Sequence, residues 1–170
     1  QRDDAAADEV ARSLTFKTFG DTPAGQDDAP LPKAVYLWHA YRKLTGKNPP
    51  ARNQNPTGSC VAHGTNRAIE RTMEVAVANG ARFELRRFAE EVTYAGSRVD
   101  VGKGRIRGDG SVGAWAAKFV TEYGALPEGS YGRYDLTRYD PDRCREWGFN
   151  GMPAEVKAEA RKYPVGDATR

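Results

Sequence analysis

The sequence predicts a mainly helical domain, and three observations carry that expectation. Between Val61 and Ala76 the residues Val61, Ala62, Ala68, Ile69, Met73 and Ala76 recur at three- and four-residue steps, the period of one helix face. Asn79-Gly80 supplies a stop for that helix. A second amphipathic segment, 114–123, ends at Gly124, and the stretches 47–58 (KNPPARNQNPTG) and 102–113 between the periodic segments are rich in turn-formers.

In chain order, residues 1–32 read as an extended arm and linker, and 33–170 as one helical subdomain. The arm begins acidic (Asp3, Asp4, Asp8, Glu9) and has a sticky stretch at Val10, Leu14, Phe16 and Phe19, a candidate docking element. Residues 21–32 (DTPAGQDDAPLP) hold too many turn residues for a helix. Val35, Tyr36, Leu37, Trp38, Tyr41 and Leu44 predict a short helix closed by Gly46. Ser59 is a candidate N-cap for the long helix starting near Cys60. A third helix is expected over 85–96, with Phe88, Val92 and Tyr94 among its apolar positions, and two short ones near 141–147 and 153–162.

Composition narrows the function classes. The chain has 170 residues, 39% hydrophobic and 29% charged, enough for one domain with a real core. No stretch has the apolar length of a membrane span. The chain opens on Gln1 with no basic, apolar leader, which reads as a processed or trimmed start. Net charge is +3, and the densest basic patch, 103–107 (KGRIR), reads as a solvated loop with nucleic-acid binding as the alternative. Two cysteines, Cys60 and Cys144, do not make a disulfide framework. The residue types His39, Cys60, His63 and Cys144 invite a zinc reading, but only Cys60-x-x-His63 is close-spaced, where a structural site shows two such pairs. Neither a metal nor a cofactor is expected.

Chemistry concentrates at Cys60. A cysteine nucleophile needs a deprotonated thiol, a donor waiting for the oxyanion, and a base for the leaving group's proton. The first position of a long helix favours a thiolate, because the unpaired N–H groups there are positive. Gln54, six residues upstream in a loop, can fold its amide back toward Cys60. Together with the Cys60 N–H it would form an oxyanion hole. His63 shares a helix face with Cys60 at i, i+3 and is a possible local base.

The segment 53–62 (NQNPTGSCVA) resembles the active-site stretch of papain-like cysteine peptidases, in which Gln precedes the nucleophilic Cys by six and Gly-Ser leads into it. The resemblance continues through 109–126 (DGSVGAWAAKFVTEYGAL), similar to the family's subsite loop and the helix ending Tyr-Gly, and through 127–135 (PEGSYGRYD). It covers about residues 48–140, and implies the helical, Cys-bearing half of that α+β fold, built around a long central helix. It also implies Cys60 and Gln54 as catalytic residues, Asp109, Gly110 and Ser111 as substrate-binding residues, and a peptide or protein substrate. Three departures stand out. Val61 replaces an aromatic residue, Thr57 a structural cysteine, and Ser111 the second glycine of the loop. In the family the catalytic His and Asn lie about 130–150 residues beyond the Cys, past Arg170, and the β-barrel half would lie there too. A second half or partner chain would then supply the base, and the resemblance places His63 at an inward, usually apolar position.

Three readings follow: a peptidase represented by its Cys-bearing half, an inert papain-like module kept for binding or assembly, or an unrelated helical interaction domain. The ordinary alternatives for single residues are a buried helix cysteine at Cys60, a plain loop residue at Gln54, and capping or solvated carboxylates at Asp109 and Asp135.

Overall fold

The computed structural model of the chain describes residues 36–166. The expected arm over 1–32, with its candidate docking stretch, lies outside the described residues. Within them are six α-helices: α1 (Trp38–Thr45), α2 (Cys60–Ala78), α3 (Glu90–Ala95), α4 (Gly113–Tyr123), α5 (Pro141–Asn150) and α6 (Ala154–Ala160). The described residues contain one sheet, a two-stranded antiparallel hairpin pairing β1 (Ser130–Tyr131) with β2 (Tyr134–Asp135). The domain is mainly α, as the periodicity predicts.

Several helix ends follow from local chemistry. Gly46 closes α1 in the left-handed region. Asp140 caps α5 by accepting from the Asp142 and Arg143 amides at 2.9 and 3.1 Å, with Pro141 at the first helical position. The third helix differs from expectation. It starts at Glu90, not Leu85, because Phe88 forms an antiparallel bridge with Pro127, and the flanking amides of Ala89 and Glu128 bond Leu126 and Arg87. The chain is therefore extended up to Ala89. Beyond Ala95 the helix widens into a π-helical turn, Gly96–Val101.

The core lies between α3, α4, α5 and α6. Phe88, Val92, Ala95, Phe119, Val120, Leu126, Leu136, Trp147, Met152 and Val156 are buried there. Every residue from Phe88 to Arg98 is buried, so α3 and its π turn, not α2, are the element enclosed on all sides. The longest helix does begin at Cys60, but it packs as a flank.

The face that α2 buries is also not the one its apolar spacing suggests. Ala62, Asn66, Glu70, Arg71 and Glu74 are buried, while Ile69 and Met73 pack on the core from the side and Ala68 is exposed. A polar face can go inside when its groups are satisfied. The Asn66 amide donates to the Phe88 carbonyl at 3.1 Å and accepts from the Thr93 hydroxyl at 2.8 Å. Glu70 accepts from Arg67, from Arg52 and from the Phe88 amide. The opposite stripe of small residues, Cys60, Gly64, Ala68 and Thr72, is left exposed.

Candidate functional site

Cys60 is the first residue of α2 and is exposed. Cys144 is fully buried on α5, and both thiols are free, so no disulfide occupies Cys60. Burial pushes the Cys144 thiol up to about 12, which makes it inert at neutral pH.

The leader into Cys60 is moored on three sides. Thr57 is buried and its hydroxyl donates to the Pro141 carbonyl at 3.3 Å. Arg145 donates to the Pro56 carbonyl at 3.1 Å. The Tyr139 hydroxyl meets the Ser59 hydroxyl at 2.9 Å and donates to the Gln54 carbonyl at 3.2 Å, which links both ends of the leader. The third mooring is Asp109. One of its carboxylate oxygens accepts from the Gly58 amide at 2.6 Å, and the other accepts from the Tyr94 hydroxyl and the Gly110 amide. Burial works against the Asp109 charge, but these bonds and the Arg98 charge outweigh it and hold its pKa below the ordinary carboxylate value.

Position 57, where the resembled family carries a cross-linking cysteine, is thus held by hydrogen bonds, and the Asp109 loop is joined to the leader one residue later. The approach is close enough to require glycine at 58. A Cβ there would stand 2.7 Å from the Gly110 nitrogen and 2.8 Å from the Asp109 carboxyl carbon. Gly58→Ala is expected to push the loop off the leader and cost about 1–3 kcal/mol in denaturant unfolding. Gly64→Ala on the exposed stripe of α2, with nothing within 4 Å, is expected to stabilise by about 0.5–1 kcal/mol. Equal behaviour of the two would remove the close approach from the account.

The structure joins some of the expected site residues and separates others. Gln54 folds its amide back along the leader and donates to the Thr57 carbonyl at 2.9 Å. It lines a hollow of about 440 Å³ with Pro50, Arg52, His63, Gly64 and Arg67. Neither Cys60 nor the 108–113 loop lines that hollow. Asp109, Gly110 and Ser111 reach the leader, yet their polar groups are engaged internally. Asp109 uses both oxygens, the Gly110 carbonyl accepts from Arg98, and the Ser111 hydroxyl bonds Ser97 at 2.7 Å.

His63 is placed against a role as local base. Its Nδ1 lies 3.1 Å from the Ser59 carbonyl oxygen and 3.3 Å from the Ser59 hydroxyl, which ties the ring to its own helix turn. Its Nε2 lies 3.9 Å from buried Glu90. Burial, with the nearby Arg52 charge, lowers the His63 pKa against the opposing Ser59 bond. His39 sits on α1, which is moored on the C-terminal half of α2 by Arg71 over the Tyr41 ring and by Lys43 donating to Ala78. Among the described residues no three His, Cys, Asp or Glu side chains converge as metal ligands. No helix there is long and apolar enough to cross a membrane.

Sequence reasoning missed Tyr139, which reaches Gln54 across 85 residues, Tyr94 and Arg98, which hold the 106–110 loop across 8 to 16, and Arg52, which bonds Glu70 and Glu90 across 18 and 38. No short-range pattern shows that the Tyr139 hydroxyl reaches back to Ser59. Compared with known proteins, the chain matches no family model, no curated protein and no solved structure.

Proposed function

We propose that this chain is the Cys-bearing, helical half of a papain-like cysteine peptidase, with Cys60 as nucleophile, Gln54 as oxyanion donor and the base supplied from outside residues 36–166. One observation carries the reading most: the exposed thiol opens the longest helix on a leader moored from three sides, with Gln54 folded along that leader. Such mooring is what a nucleophile needs, since orientation contributes heavily to rate. The exposed stripe of α2 offers the face on which the β-barrel half of such a fold would pack. The substrate is a peptide or protein.

The inert-module reading has its own support. His63 is engaged with Ser59 and lies beside Glu90, and the polar groups of Asp109, Gly110 and Ser111 are already bonded within the chain. An inert module would serve binding or assembly through the same faces.

A peptidyl aldehyde separates the two. It adds to a nucleophilic thiol and leaves an oxyanion that an amide donor stabilises. The aldehyde is expected to protect Cys60 from iodoacetamide, and Gln54→Ala is expected to weaken that protection at least tenfold while leaving the iodoacetamide rate itself nearly unchanged. No protection, or protection indifferent to Gln54→Ala, would favour the inert module.

A further inference from the structure

The loop from Gly102 to Val112 has a feature that the site description does not use. Lys103, Arg105 and Arg107 are all exposed, and none forms an ion pair among the described residues. The carboxylates nearest in sequence are committed elsewhere. Asp100 pairs with Lys157, and Asp109 holds Tyr94, Gly58 and Gly110.

The loop is also rigid, and it is held by a fourth positive charge. The Arg98 side chain is buried beneath it and donates to the carbonyls of Ile106 at 3.1 Å, Gly108 at 2.8 Å and Gly110. It further reaches the Gly148 carbonyl at 2.7 Å and the Tyr94 hydroxyl at 3.3 Å, so its partners are carbonyls and a phenol, not a carboxylate. The loop backbone adds bonds from the Gly104 amide to the Arg98 carbonyl and from the Arg105 amide to Gly102.

Lys103 carries a second, independent sign. Its φ is +53°, in the left-handed region where glycine is the default and a lysine is strained. A residue that costs stability and touches no partner within the described chain is one whose side chain serves something outside it.

We infer that this loop is a preorganised docking surface for an acidic stretch of polypeptide, whose carboxylates meet Lys103, Arg105 and Arg107. Lys103 and Gly104 form a turn with positive φ, closed by the Arg105 amide on the Gly102 carbonyl, so the three cations are presented from a tight turn and the residues after it. The arginine fork suits carboxylates. A single-stranded nucleic acid fits less well, because such binders add aromatic stacking platforms and residues 102–113 contain no aromatic residue. The loop abuts the Cys60 leader through Asp109, so under the peptidase reading it selects substrates or partners acidic on that side. The kind of ligand rests on that reading, but the binding measurement is made without reference to hydrolysis, and a chain that never cleaves a peptide can still pass it.

The test is fluorescence anisotropy of a labelled ten-residue peptide alternating Glu and Ala, titrated with the full chain at low salt. The expected result is binding that weakens at least tenfold in the triple variant Lys103→Gln, Arg105→Gln, Arg107→Gln, and again on raising salt. Lys103→Gly alone is expected to weaken binding several-fold with no loss of thermal stability, and it decides the question if the triple variant fails to fold. The inference is overturned if the matching Lys/Ala peptide binds as well, if the variants bind unchanged, or if a labelled ten-nucleotide dT strand binds more tightly than the acidic peptide.

Discussion

Arg52→Met is expected to lower folding stability by about 3–5 kcal/mol, the usual cost of removing one partner from a buried charge cluster. The Arg52 side chain is 8% exposed and reaches Glu70 on α2 and Glu90 on α3, which are 3% and 2% exposed, with Glu128 at 3.7 Å. Burial pulls the guanidinium below its usual pKa, while the charges of Glu70 and Glu128 hold it protonated. Removing it leaves Glu90 with only the distant, neutral His63 and leaves Glu70 to Arg67 and the Phe88 amide. Met fills much of the volume, so the loss reports the stranded charge and not a cavity. Urea unfolding measures it. Two comparisons assign the cause. Arg133→Met, at a pair whose Arg is 79% exposed, is expected to leave stability unchanged within error. Adding Glu90→Gln to Arg52→Met is expected to restore part of the stability, because it removes the uncompensated carboxylate. A small loss in Arg52→Met, or no recovery in the double variant, would mean that the cluster does not hold the leader loop to α2 and α3.

How far the sequence carries the reader depends on how local each cause is. The start of α2 at Cys60 was legible because Gly58-Ser59 and a long period-3.6 run lie side by side. The close of α1 at Gly46 was legible for the same reason, while α5 was expected only as a short helix near 141–147. The buried face of α2 was not. Its apolar set ran Val61, Ala62, Ala68, Ile69, Met73 and Ala76, of which the structure buries Ala62 and packs Ile69 and Met73 on the core from the side. It also buries Asn66 and Glu70, whose partners Arg52, Phe88 and Thr93 arrive from other segments, and Glu74, which pairs with Arg71 on the same helix. The start of α3 was misplaced by five residues because the Phe88–Pro127 bridge joins positions 39 apart. At the site, the thiol on its helix end could be read from spacing alone. The ties that fix it, Asp109 to Gly58 and Tyr139 to Ser59, span 51 and 80 residues, and only the folded chain shows them.

The proposed chemistry also sets an upper limit on what these residues do alone. A helix end and an amide donor favour a thiolate and an oxyanion, but neither protonates a leaving amine. General acid–base help is typically worth about 10²–10⁴-fold. Under this reading His63 does not supply it, since its Nε2 lies 3.9 Å from Glu90. Acylation of Cys60 by an unactivated peptide is therefore expected to be too slow to observe.

The direct test is a peptide-hydrolysis time course on the purified chain, run beside Cys60→Ala. The account predicts that the two traces coincide at the background rate, while a peptidyl aldehyde still shields Cys60 from iodoacetamide in the unsubstituted chain. Sustained hydrolysis that Cys60→Ala abolishes would contradict it, and would place the base within the chain, at His63 or His39.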